Sequence, residues 1–252
     1  MKLRSNYKNL RRPFRDVVHM YLTKATIDLY RSWFLSLLNR KSILNDYSPR
    51  AESLRESLNN LDITSPWFYT HIEFWLYSIE KFDLKNKPIS ILEIGSWEGL
   101  STYFMLDQMQ HSVVTSVDTW GGADEHKDGS ATSRDSIIYV EDRFDRNLAP
   151  HKTRLTKFKG ESIKFWALAD ENNKYDLIYI DGSHHVDDVL LDASRGFKLL
   201  KNSGIMIFDD YYFRYYQRRD CNPAYAINTF LRAHRGEYKI LLFTQQLWIK
   251  KV

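Results

Sequence analysis

Two places in the 252-residue chain bring together side chains able to do chemistry. The first is Asp181-Gly182-Ser183-His184-His185, and the second is Asp209-Asp210-Tyr211-Tyr212. Each follows a short apolar run, Asp176 to Ile180 and Ile205 to Phe208, of the kind that forms a buried strand. If those strands are neighbours, Asp181, Asp209 and Asp210 converge. Three carboxylates without a counter-charge repel and raise one another's pKa, so the cluster calls for a hard divalent ion. Oxygen donors without cysteine favour Mg²⁺, Mn²⁺ or Ca²⁺ over zinc.

A second constellation lies upstream. Glu93-Ile94-Gly95-Ser96-Trp97-Glu98-Gly99 ends a strand and leads through two glycines into a helix beginning near Ser101. Such a turn exposes backbone amides to a ligand. It lacks the Lys-Ser/Thr of a phosphate-cradling loop, and Trp97 stands where the dinucleotide fingerprint has glycine. Glu93 and Glu98 would repel a pyrophosphate and instead suit a ligand with an amino group and hydroxyls. About twenty residues on, Val117-Asp118-Thr119-Trp120 ends the next strand, where Asp118 can take both hydroxyls of a ribose. Gly160-Glu161-Ser162 follows a third strand and can edge an adenine ring, or act only as a helix cap.

The elements that must position these residues change character near Pro88. Residues 1–87 contain no glycine and read as helices: Val18, Leu22, Ala25 and Leu29 at helical spacing, then Leu54, Leu58 and Leu61, then Trp67 to Phe82, punctuated by Pro49, Pro66 and Pro88. They are expected to form a helical arm and lid. Residues 88–252 alternate short apolar runs with helical stretches, the pattern of βαβ units. Expected strands are Ile89 to Ile94, Val113 to Val117, Arg154 to Lys159, Asp176 to Ile180 and Ile205 to Phe208; Leu100 to Gln110, Ser133 to Ala149, Ser162 to Asp170, Val186 to Lys201 and Ala224 to His234 are expected helices. Lys239 to Phe243 and Gln246 to Lys250 read as a closing antiparallel pair. The fold class is therefore α/β, a Rossmann-like, doubly wound, mostly parallel sheet of seven strands whose ligands bind beyond the carboxyl ends of the strands.

Taken together, LEIGSWEGLST, VDTW, KGES, YDLIYIDGSHHVDDVLLDA and LLKNSGIMIFDDY resemble a class I S-adenosylmethionine-dependent methyltransferase over roughly residues 65–252. The likeness extends more distantly to metal-dependent O-methyltransferases acting on catechols and sugar hydroxyls. It implies S-adenosylmethionine held by Glu93, Gly95, Ser96, Trp97, Glu98, Gly99, Ser101, Asp118, Thr119, Trp120, Glu161, Ser162 and Asp181. It also implies Mg²⁺ or Mn²⁺ on Asp181, Asp209 and Asp210. Catechol enzymes place a lysine base three residues after the first metal carboxylate; here that position is His184, which favours a sugar-like alcohol or small-molecule hydroxyl and makes His184, neutral near pH 7, the expected general base. Asp187, Asp188 and Asp192 suit the first turns of a helix. Tyr211 to Arg219, with four Tyr, one Phe and three Arg, reads as a substrate wall or as a solvated loop packed on the arm.

Composition bounds the alternatives. Hydrophobic residues are 43% and charged residues 27%, ordinary globular usage, without an apolar run of transmembrane length. The lone Cys221 excludes an intrachain disulfide or a cysteine zinc cage and fits a reducing, cytoplasmic setting. Of the net charge of +4, residues 1–41 hold +8 and residues 42–252 hold −4. An acidic body argues against a nucleic-acid partner, while the basic arm suits an anionic membrane surface, oligomerisation through its helices, or a lid. A non-catalytic cofactor-binding module recruited through that arm is the competing reading.

Overall fold

The computed structural model describes residues 24–129 and 137–252. Seven strands form one sheet in the order β3-β2-β1-β4-β5-β7-β6: β1 Ser90–Ile94, β2 Val113–Asp118, β3 Leu155–Lys159, β4 Tyr175–Ile180, β5 Leu200–Phe208, β6 Tyr238–Phe243 and β7 Leu247–Lys251. The first five run parallel, and β7 inserts antiparallel between β5 and β6. The helices are α1 Lys24–Leu58, α2 Ile72–Lys81, α3 Leu100–Gln108, α4 Asp124–Lys127, α5 Val140–Leu148, α6 Ser162–Leu168, α7 Val186–Leu199 and α8 Pro223–Ala233. Each expected strand is present to within a few residues, and β5 begins earlier, at Leu200. Of the helix expected over Ser133 to Ala149, its beginning lies outside the described residues, as do Val18 and Leu22 of the arm.

Alternation along the strands builds two cores. Ile91, Val114, Leu177, Tyr179, Ile205 and Ile207 face one side, where they meet α1, α2, α3 and α5. Leu92, Ile94, Val117, Ile178, Ile180, Met206 and Phe208 face the other, under α6, α7 and α8. The helices of residues 24–87 share the first core with the sheet: Ile43, Ala51, Leu58, Ile72 and Trp75 pack with Leu177 and Trp248. Helix α1 also covers the edge strand β6, where Ser36 Oγ accepts a hydrogen bond from the Phe243 amide at 2.9 Å. No helix among the described residues is long and apolar enough to cross a membrane.

Two expectations for the helical segment change. Pro49 does not separate two helices; α1 runs through it. Proline removes one amide and leaves the Asn45 carbonyl without its helical donor, but both residues are exposed, so water can take that carbonyl while packing on either side holds the helix together. The segment Trp67 to Phe82 begins as a 3₁₀ turn, Trp67–His71, before α2.

Asp192, expected at a helix start, lies in the second turn of α7 and is buried, accepting a hydrogen bond from Trp166 Nε1 at 2.7 Å. Burial pushes its carboxyl up to about 6. A folded-state pKa raised above that of the unfolded chain stabilises at low pH, and the benefit is lost as pH rises through the folded value. Relative to Asp192→Asn, the wild type should therefore lose about 2–3 kcal/mol between roughly pH 4 and pH 7. Urea unfolding of both proteins across that range measures it; a pH-independent difference would contradict the assignment.

Candidate active site

The parallel strands end on one side, and their loops are knitted together by backbone bonds. Gly95 N donates to Val117 O at 2.9 Å, Asp181 N to Ile94 O at 2.8 Å, Gly160 N to Asp118 O at 2.8 Å and Asp209 N to Ile180 O at 2.9 Å. Strand β1 pairs with both β2 and β4, so the chain reverses its direction of winding beside β1 and opens a crevice at the Gly95 turn. Gly95 has φ +88°, and a Cβ there would stand 2.0 Å from the Asp181 carbonyl oxygen. Only glycine allows the β1 and β4 loops to approach this closely.

The acidic residues of that turn are internal fasteners. Glu93 is wholly buried and takes hydroxyls from Ser96 at 2.7 Å, Ser116 at 3.1 Å, Ser101 and Thr102. Burial pushes its carboxyl up, and the four hydroxyls oppose that rise. Glu98, also buried, accepts from the Thr64 and Ser65 amides at 2.8 and 3.1 Å, from Thr64 Oγ1 at 2.6 Å and from Arg143 at 3.2 Å, tying the segment before the 3₁₀ turn to the loop. Asp118 accepts from the amides of Ser96, Trp97 and Trp120 at 2.8, 2.8 and 2.7 Å. A carboxylate offers about four acceptor directions, so this arrangement leaves about one for a ligand. Trp120 is buried, donates to the Trp97 carbonyl at 2.9 Å and packs on Phe144 and the Lys157 ammonium. Trp97 stacks on His126 with ring centres 4.5 Å apart, and Trp67 of the 3₁₀ turn packs against both rings.

At the ends of β4 and β5, Asp181, His184 and Asp210 each present a ligand atom, all within 4.8 Å of one another. They line a cavity of about 10 Å³, room for roughly one water-sized occupant. His184 Nδ1 donates to Glu125 Oε1 at 2.5 Å, and its Nε2 lies 2.9 Å from Asp210 Oδ2 without aligning as a hydrogen bond. Burial alone would lower the His184 pKa, but Asp210 and Glu125 outweigh it and push the imidazole up to about 10. Phe213 covers the ring at 4.2 Å. Burial raises the Asp181 carboxyl well above the carboxylate range, and the charges of Asp209 and Asp210 add to this.

Asp209 sits differently from the expected metal ligand. It is directed inward, accepting from Gln246 Nε2 at 2.8 Å and from the Tyr179 hydroxyl, with His71 Nε2 at 3.7 Å. The Tyr179 hydroxyl also faces Asp181 Oδ2 at 2.8 Å. One phenolic proton cannot serve two ionised carboxylates, so the pair requires either a proton on Asp181 or a cation beside it. The two carboxylates thus fit a divalent ion on Asp181 and Asp210 beside His184, and Asp209 supports that arrangement through Tyr179.

Residues 92–211 match a family model described as a methyltransferase domain. That segment, just under half of the chain, is similar to a methyltransferase domain. The fold is shared with MycE methyltransferase of the mycinamycin pathway, solved with Mg, SAH and mycinamycin VI, at 15% identity, TM-score 0.50, and 73% of this chain over 49% of that one. This chain therefore spans about half the length of MycE. A Staphylococcus aureus protein provisionally assigned as a caffeoyl-CoA O-methyltransferase aligns at 18% identity, TM-score 0.51, covering 85% of this chain and 99% of its own. A Clostridium thermocellum protein provisionally assigned as an rRNA methylase aligns at 13% identity, TM-score 0.50, over 76% and 100%. No curated protein sequence matches the chain.

The remaining expected residues divide. Gly95, Ser96, Trp97, Gly99 and Ser101 form the turn and the start of α3, and a Cβ on Gly99 would meet Leu148 at 2.2 Å. Thr119 is exposed and its hydroxyl accepts from the Gly121 amide at 3.1 Å. Glu161 is exposed and paired to Lys164 at 2.9 Å, while Ser162 begins α6. Three participants carry no signal in the sequence: Glu125 on the short helix α4, His71 at the end of the 3₁₀ turn, and Gln246 in the turn before β7. Periodicity could not reveal them, since each reaches the site from a loop or a one-turn helix. The neutral state expected for His184 also changes, because sequence could not show that two carboxylates flank it.

The aromatic stretch after Asp210 closes over this end of the sheet. Tyr211 is buried against Phe243, Phe213 lies on His184, and Tyr215 and Tyr216 donate to Asp128 and Asp124. Asn222 shapes the loop by accepting from the Tyr215 and Tyr216 amides at 3.0 and 3.1 Å and donating to the Tyr216 and Arg218 carbonyls.

Proposed function

We propose that the protein is a metal-assisted O-methyltransferase acting on a hydroxyl of a sugar or another small molecule. The observation that carries this reading is the convergence of Asp181, Asp210 and the Glu125–His184 pair on one cavity beside the Gly95 crevice. The solved MycE complex, with Mg, SAH and mycinamycin VI on the same fold, supports it as an analogy.

S-adenosylmethionine would supply an electrophilic methyl group, and a divalent ion would supply positive charge that acidifies an acceptor hydroxyl. Asp181 and Asp210 would hold that ion. Glu125 takes the Nδ1 proton of His184 in a hydrogen bond, which fixes the tautomer and turns Nε2 toward the cavity as the proton acceptor. A cation beside Asp210 would offset one of the two charges that keep the imidazole protonated, so that His184 could accept a proton. His184 Nε2 would take the proton of an acceptor hydroxyl as that oxygen received the methyl group. Phe213, Tyr215 and Tyr216 wall the acceptor side, where aromatic faces suit a sugar ring.

Two measurements test this reading. Calorimetric titration with S-adenosylhomocysteine should show binding both with and without Mn²⁺ or Mg²⁺. Methyl transfer to a panel of glycosides and polyols should be abolished by chelation and restored by either ion. Binding without any metal-dependent turnover would instead favour the non-catalytic module.

A further inference from the structure

Helix α1 carries four large apolar side chains that no described residue covers fully: Ile27 is 56% exposed, Phe34 56%, Leu35 47% and Leu38 62%. Around the helix axis Ile27, Phe34 and Leu38 fall within about 40° of one another, directly opposite the buried Leu29, Ser36 and Ile43 that seat the helix on the sheet. The helix is thus apolar on two faces, and only one is needed for the fold. A solitary exposed leucine is ordinary, but a stripe over three turns, centred away from the core, marks a docking face.

Charge indicates the occupant. Arg31 and Lys41 are exposed beside the stripe, and residues 1–23 add six Lys and Arg against Asp16 alone. A second copy docking on this face about a two-fold axis would bring two segments of +8 together. An anionic bilayer satisfies both features, because the apolar stripe can enter the headgroup boundary while the flanking cations lie among lipid phosphates. We propose that the outward face of α1, Ile27, Phe34, Leu35 and Leu38 with Arg31 and Lys41, docks the enzyme on an anionic membrane surface. This goes beyond the methyl-transfer reading and is independent of it, since none of these residues lies in the active site.

The test is co-sedimentation of the full chain with vesicles of phosphatidylcholine alone or with about one third phosphatidylglycerol, at low and high salt. The wild type should sediment with the anionic vesicles, stay in solution with neutral ones, and be released by salt. Phe34→Ser combined with Leu38→Ser should weaken partitioning about tenfold or more, and Arg31→Glu with Lys41→Glu several-fold, while S-adenosylhomocysteine binding and thermal unfolding stay as in the wild type. Those last two readouts distinguish a lost docking face from a lost fold. The proposal is overturned if the wild type ignores anionic vesicles or binds neutral ones equally. It is also overturned if the Phe34/Leu38 variant partitions unchanged, which would assign binding to the charges of residues 1–23. A doubled mass in sedimentation velocity that the same variant returns to monomer would assign the face to self-association.

Discussion

His184→Ala is expected to lower methyl-transfer turnover by about 10²–10⁴-fold, the usual worth of a positioned general base, with little change in S-adenosylhomocysteine affinity. The expectation rests on geometry: Nδ1 is anchored on Glu125 at 2.5 Å, and Nε2 faces the cavity bounded by Asp181 and Asp210. Glu125→Gln provides the second arm. It keeps an acceptor for Nδ1–H but removes the charge, so turnover should fall about tenfold and the pH profile should shift, because one of the carboxylates that raises the imidazole pKa is gone. A His184→Ala enzyme within about twofold of wild type would remove histidine from the proton-transfer role. If metal affinity collapses while turnover at saturating metal is retained, His184 serves as a ligand rather than a base.

Gly95→Ala should be the most damaging single methyl group in the chain. The added carbon would meet the Asp181 carbonyl oxygen at 2.0 Å, its carbon at 2.4 Å and Gly182 Cα at 2.6 Å, all backbone atoms that no rotamer change can clear. Relief requires prying the β1 and β4 loops apart. That movement breaks the Asp181 N to Ile94 O bond and displaces a cavity-lining carboxylate. A loss of about 3–5 kcal/mol in unfolding free energy is expected, with S-adenosylhomocysteine binding lost in whatever fraction still folds. Gly236→Ala separates strain from collision. That residue also has a left-handed backbone, φ +93°, but nothing lies within 4 Å of its added carbon. It should cost only about 1–2 kcal/mol and leave binding intact. Equal effects at the two glycines would refute the close-approach argument.

The strand pattern after Pro88 was legible because a parallel strand buried on both faces must be apolar throughout, and SILEI, YDLIYI and GIMIF can scarcely be read otherwise. The positions of Asp181 and Asp210 followed from the same reasoning, since residues just beyond such strands gather at one end of the sheet. Pro49 misled because a helix boundary was inferred from a local rule that tertiary packing overrode. Glu93, Glu98 and Asp118 were assigned to the ligand because acidic residues beside a glycine turn attract that reading. Their hydroxyl, amide and guanidinium partners lie up to 45 residues away in sequence and become neighbours only on folding.

By itself, then, the sequence determined the α/β class, the glycine turn, the two carboxylate-bearing strand ends and the uneven distribution of charge, because each depends on residue type and short-range spacing. Tertiary structure alone decided which carboxylates face the cavity and which serve as fasteners, the pairing of Glu125 with His184, and which face of α1 remains uncovered. Those outcomes depend on orientation and on the dielectric and charge surroundings of each group, and both arise from contacts between segments that are remote along the chain.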